Sequence, residues 1–307
     1  MHARKNWLIK NWLIKDSWFR LAFSWRGSVI PEVLPRSLFC GLFGLIIYIL
    51  HALSFRVHLP VFGSLISNIV LGLLLVFRTN TAYERFWEGR KAWGTLVNTV
   101  RNLSRQILVA ITEQDIEDHQ GKIAAVKLLP AFAIALKLHL RSEPINAELE
   151  AVLSAEQFNR LKTMNHPPLE IGFWISSYLQ RQFQQEKLDR YQLGNMIQLL
   201  NQMVDVVGIC ERILKTPIPL AYAIHLKQLL LIYCLSLPFQ MVAQLEWMTA
   251  PIVTLISFTL LGIEEIGIQI EDPFGHDSND LPLDNICSAM LRNIEDLFIV
   301  NNDEVKA

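Results

Sequence analysis

The sequence predicts an all-α protein with four transmembrane helices, arranged as two pairs, and a large helical region between the pairs. Three observations carry this. Charge-free apolar stretches occupy residues 37–55, 61–77, 228–245 and 247–263. Charged and aromatic residues begin as the second stretch ends: FRTNTAYERFWEGRKAWG (residues 77–94) places Arg78, Arg85, Arg90 and Lys91 within about four helical turns. Such a run of cations marks the cytoplasmic flank of a membrane helix. The 307 residues are 51% hydrophobic but still 19% charged, too polar for a chain lying wholly in a bilayer.

Taken in order, residues 1–36 form an N-terminal interfacial segment. NWLIK occurs twice in tandem at residues 6–15, setting Trp7, Trp12 and Trp18 beside Lys10 and Lys15. Trp with Lys suits the headgroup layer, and a short duplication without function fits the same residues. Lys10, Lys15 and Arg20 interrupt the apolar runs, so no cleavable signal peptide is present. Residues 37–77 hold the first helix pair, joined through Pro60. The span at 37–55 is long enough for ~30 Å of hydrocarbon, whereas 61–77 is short and needs the protection of neighbours.

Residues 78–226 form a cytosolic helical region with apolar residues at helical spacing, as in Leu96, Val97, Val100, Leu103, Ile107, Leu108 and Ile111. Neither Pro nor Gly interrupts residues 73–88, which predicts one unbroken helix running from the second span into this region. Loops are expected at residues 142–144 and around His166, Pro167 and Pro168. Residues 227–265 hold the second helix pair, and the cytosolic segment 266–307 ends in a short helix near 286–298. Cations gather before residue 37 and after residue 77, so the positive-inside rule places both termini in the cytoplasm of a multi-pass cell-membrane protein.

Several function classes are excluded. A net charge of −1 does not support nucleic-acid binding, which rests on clustered Lys and Arg. Cys40, Cys210, Cys234 and Cys287 are too dispersed for a zinc or disulfide framework. GxSxG, Gly-rich phosphate-loop and HExxH patterns are missing, so no catalytic residues are assigned and an enzyme is not expected. His51, His139 and His225 are read as packed or interfacial residues, and no metal or cofactor is expected. Glu264 and Glu265 close an apolar span, either as a water-cavity site or, preferably, as a plain helix end at the interface.

Four motifs in order, RGSVIPEVLPR (26–36), FRTNTAYERFWEGRKAWG (77–94), CERILKTPIPLAY (210–222) and EDPFGHDSNDLPLD (271–284), resemble the bestrophin family, especially its prokaryotic members. The resemblance implies a homopentamer with one central pore through membrane and cytosolic parts, lined by the second span of each subunit. It also implies a narrow neck of three apolar residues, which here correspond to Ile69, Leu73 and Phe77. Residues at i, i+4 and i+8 drift little around a helix, so these three form one stripe whatever the family. By itself the stripe fits ordinary helix packing equally well. Arg78, Asn80, Arg85 and Trp87 continue the helix below the neck, where the Arg forks and the large Trp87 and Trp93 are expected to hold subunits together.

Eukaryotic members of the family carry a calcium clasp after an NPFG-like turn. The matching positions here are His276, Asp277 and Asp280, and His276 replaces the first acidic residue. Losing one carboxylate weakens a site for a hard cation that wants six to eight oxygens, so calcium control is not expected. The resemblance also implies a second constriction in the cytosolic part, expected within residues 191–200, with no single residue assigned. The function implied is passive conduction of small anions, chloride and bicarbonate, with helix N-termini favouring negative charge. Small inorganic ions, the lipid bilayer and other copies of the chain are the partners. A cation-selective (Na+ or K+) channel of the same family is the alternative, and a membrane-anchored scaffold or regulator is the rival from another class.

Overall fold

The computed structural model describes residues 23–25, 27–59 and 65–304, and the tandem NWLIK repeat and the Pro60 connection lie outside them. Among the described residues every regular element is helical. The chain divides into two compact units: the first comprises residues 1–83, 218–271 and 277–279, the second residues 84–217, 272–276 and 280–307.

In the first unit, helix α1 (Ile30–Ala52) carries Pro31 in its first turn, where a missing amide costs nothing. The second helix, α2 (Leu65–Ala110), is 46 residues long and runs without interruption, as the lack of breakers at 73–88 predicts. Helices α8 (Leu220–Leu245) and α9 (Thr249–Glu271) form a hairpin through the 3-10 turn Glu246–Met248. Glu246 closes α8 with a φ of 48°. This hairpin is the short-linked second pair expected from the sequence.

Small residues set the distance between α1 and α9. A Cβ on Gly41 would lie 1.9 Å from Thr254 Oγ1 and 3.3 Å from the Ala250 carbonyl, and one on Gly44 would sit 3.4 Å from Ala250 Cα. Close backbone approach of this kind holds helices together where water supplies no driving force. Thr254 cannot easily yield, because its hydroxyl donates to Ala250 O at 2.9 Å. Gly41→Ala is therefore expected to destabilise the first unit by about 1–3 kcal/mol through overpacking. A lowered melting temperature of the purified chain in detergent checks this, and an unchanged one refutes the close contact.

Two small apolar clusters complete the unit. Cys40 on α1 packs with Cys234, Leu237 and Val253, and Leu71 and Leu75 on α2 pack with Leu226 and Leu230 on α8. Much apolar surface stays uncovered, including Leu38, Phe39, Leu42 and Ile46 on α1, and Leu231 and Ile232 on α8. Exposed apolar area on this scale marks a membrane or protein contact.

One sequence reading is corrected here. The apolar span ending at Glu264 and Glu265 is not a helix end, because α9 continues to Glu271 and both carboxylates are buried. Glu265 can be accommodated because Arg36 Nη1 meets its Oε2 at 2.8 Å.

The second unit is built around α3 (Ile116–Leu140), with α4 (Ala147–Glu150), α5 (Ala155–Leu161), α6 (Pro167–Gln184), α7 (Arg190–Lys215) and α10 (Leu283–Glu304). Helix α3 is long and apolar enough to cross a membrane, but 78% of its most apolar window is buried, against 33% for α1 and for the α8–α9 stretch. An all-round apolar helix enclosed by others is a core helix, and α3 is one. Leu96, Val100, Leu103, Ile107 and Leu108 on α2 join its core, as their spacing predicts. The C-terminal helix is longer than the expected 286–298.

Local chemistry explains the boundaries of these helices. Asp115 caps α3 by accepting from Asp118 N, and Ser154 and Asp189 open α5 and α7 with reciprocal capping boxes. Lys137 is enclosed in the core, with Nζ 2.6 Å from Glu148 Oε2 and 2.7 Å from Asp284 Oδ1. Burial opposes its charge, but the two carboxylates outweigh burial and raise its pKa.

Candidate functional site

The stripe singled out in the sequence lies on the first-unit part of α2. Ile69, Leu73 and Phe77 are 59%, 51% and 55% exposed. Leu71 and Leu75, about 200° away at 100° per residue, are buried against α8. The apolar stripe is thus not consumed by packing within the chain. Among the described side chains of this stretch, residues 68–83, only the line through Leu71, Leu75, Arg78 and Ala82 is buried.

Arg78 begins the polar continuation. Although charged, it is only 4% exposed, and its Nη2 donates to Glu271 Oε2 at 2.8 Å. The other carboxylate oxygen of Glu271 accepts from Ile218 N at 2.9 Å, so one side chain ties α2, the start of α8 and the end of α9. Tyr222 adds a donation to the Leu74 carbonyl at 2.8 Å. The conspicuous IPLAY stretch therefore braces α2.

Within the second unit, Arg85 donates to the carbonyls of Ile213, at 2.6 Å, and Thr216. Those carbonyls lie at the C-terminus of α7, where orphan acceptors and the helix dipole favour a cation. Arg212 pairs with Glu88 beside it. Asn80 is exposed, and Trp87 is exposed with Lys91 Nζ 5.9 Å from its ring centroid. The expectation that Trp93 anchors a subunit contact is corrected: it is completely buried in the core of its own unit. Arg78 and Arg85 likewise find partners inside the chain.

The loop between α9 and α10 carries the clasp positions. His276 Nε2 meets Glu143 Oε1 at 2.5 Å, so an imidazole engaged by a neighbouring carboxylate stands at the first acidic position. In the same unit Asp280 Oδ2 lies 2.7 Å from where a Cβ of Gly275 would be, so a side chain there would displace the Asp280 carboxylate. Gly89 is similarly confined: a Cβ there would come within 3.1 Å of both Pro273 and Phe274.

A cluster with no counterpart in the sequence reading lies elsewhere in the second unit. His139, read there as a packed residue, faces His166 and Glu211. Glu211 Oε1 lies 2.7 Å from His139 Nε2 and 3.2 Å from His166 Nε2, and Lys215 Nζ reaches Oε2 at 3.1 Å. Partial burial opposes ionisation of Glu211, but the hydrogen bonds from His139 and Lys215, with the charges of Lys215 and His166, prevail and hold its pKa at about 2. It is a carboxylate at neutral pH. His139 and His166 are 72 and 45 residues from Glu211, so no short motif signals the cluster.

Among the described residues every regular element is helical, the long apolar helices of the first unit are left largely uncovered and the second unit buries its most apolar helix, features of a helical membrane protein with a globular part. The chain belongs to the bacterial and fungal bestrophin family, whose profile matches residues 12–296. The resemblance drawn from the four motifs is thereby confirmed. A voltage-dependent anion channel-forming protein of Nostoc sp. is 58% identical over 283 residues, 92% of each chain. One from Synechocystis sp. is 56% identical over 281 residues, again 92% of each. A solved mutant of a bacterial bestrophin homologue from Klebsiella pneumoniae matches with a TM-score of 0.80 at 31% identity, covering 89% of this chain and 98% of that one.

Proposed function

We propose that the chain assembles as a homopentamer around an axial pore and passively conducts small anions, chloride and bicarbonate among them, through an apolar neck. The observation that carries this is the exposed stripe Ile69, Leu73 and Phe77 on a helix whose opposite side is fully engaged. Repeated fivefold, the stripe makes three stacked apolar rings, a constriction that lets ions pass with little specific binding. The names of the Nostoc and Synechocystis relatives supply the anion preference.

Four spans follow in this reading: α1, the first part of α2, α8 and α9. The remaining apolar surface faces lipid and neighbouring subunits, and the second unit and both termini lie in the cytoplasm. Asn80 and Tyr83 sit below the neck, where polar groups meet partly hydrated ions. With His276 at the first clasp position, calcium plays no part in opening. Conduction follows the electrochemical gradient and involves no chemical step.

Purified protein in planar bilayers under a salt gradient tests the proposal. A reversal potential displaced toward the chloride equilibrium value is expected. Displacement toward the cation value overturns the ion class, and the absence of unitary currents overturns the channel itself.

A further inference from the structure

We propose that His139, His166 and Glu211 form a binding site for a divalent transition ion of the Zn²⁺ class, separate from the conduction pathway. Their ligand atoms all lie within 4.8 Å of one another. Two imidazoles and one carboxylate form a donor set that holds zinc with one position left for water. Imidazole nitrogen disfavours Mg²⁺ and Ca²⁺, which prefer oxygen.

The present spacing is close to what such an ion needs. Bonds of about 2.0–2.1 Å in tetrahedral geometry place neighbouring donors about 3.3 Å apart. Glu211 Oε1 lies 2.7 and 3.2 Å from the two Nε2 atoms, so small side-chain rotations admit the ion. The ring centroids of His139 and His166 are 4.6 Å apart, which brings both Nε2 atoms to one carboxylate. All three side chains keep between 20% and 34% of their surface, enough for entry. His139 also lines a cavity of about 560 Å³ with Ser142, Asn165 and Pro167.

Proton placement is the main obstacle, and the chain resolves it. His166 Nδ1 accepts from Leu169 N at 3.3 Å, which puts the ring proton of neutral His166 on Nε2. Loading a metal on Nε2 moves that proton to Nδ1 and ends the bond. The Leu169 amide keeps a second acceptor, the His166 carbonyl at 3.1 Å, and the two prolines after His166 have no amide to satisfy. The exchange therefore does not orphan the Leu169 amide. Because His139 lies in the last turn of α3, His166 caps α6 and Glu211 is near the end of α7, the ion clips three helices of the second unit together.

The test uses the full chain in detergent, stripped of metal and titrated with Zn²⁺ against a chromophoric chelator, and with Co²⁺ by visible absorption. One Zn²⁺ per chain is expected, lost or weakened at least about tenfold in His139→Gln, His166→Gln and Glu211→Gln, with Glu211→Asp retaining binding. Zn²⁺ raises the melting temperature of the wild type, and Mg²⁺ does not. Co²⁺ in the wild type gives the intense visible bands of four- or five-coordination, a readout that needs no variant to fold. A wild type that binds no more Zn²⁺ than the His139→Gln/His166→Gln double variant, or a pale six-coordinate Co²⁺ spectrum, overturns the site.

Discussion

Replacing Ile69, Leu73 and Phe77 together with alanine is expected to raise single-channel conductance severalfold. In the proposed pentamer each residue is repeated as a ring, and each truncation widens the ring and lowers the cost of carrying a hydrated ion past an apolar wall. The change acts on conduction without wrecking the protein, because all three side chains are more than half exposed in the subunit. Leu71→Ala and Leu75→Ala are the contrast. Both are buried against Leu226 and Leu230, so each loses about 2–5 kcal/mol of packing while leaving the neck wall untouched. Single-channel recording of the triple variant decides between the two faces of α2. An unchanged unitary current sinks the neck assignment.

The second large effect is expected at Glu271. Glu271→Ala strands the Arg78 guanidinium, itself 4% exposed, without its counterion, and it also removes the acceptor of the Ile218 amide. Breaking a buried pair from one side costs about 3–5 kcal/mol, because the remaining charge is left desolvated. Glu271→Gln keeps an oxygen for Ile218 and loses only the charge, so its loss is smaller. Removing both charges, as in Arg78→Met with Glu271→Leu, recovers most of the stability, since the attraction in such pairs largely offsets their desolvation. Melting curves of the three variants in detergent check the order. A single variant as stable as the wild type refutes the role of Glu271 as the brace of α2.

Legibility differed from residue to residue. The unbroken α2, the α8–α9 hairpin and the inward spacing of Leu96 to Leu108 could be read directly, because breakers and apolar periodicity are local properties of a chain. Trp93 shows where that reading fails. A large aromatic beside cations suits an interface or a core equally well, and only its complete burial separates the two. Glu264 and Glu265 misled for a related reason: carboxylates after an apolar run usually mark the water boundary, but Arg36 allows Glu265 inside the fold. His139 carried no signal, since its partners are far along the chain and the intervening residues show no ligand spacing.

From the sequence by itself came the helical class, the apolar spans, the family and the stripe on α2, since hydropathy, helical period and motif order are written within a few turns of chain. The tertiary structure decided which apolar helix is a core, which face of α2 stays uncovered, and which charges are already satisfied. Arg78 and Glu271 are 193 residues apart, and Lys137 and Asp284 are 147 apart. Contacts at such separations depend on which helices pack side by side, a property of the folded chain that no local pattern encodes.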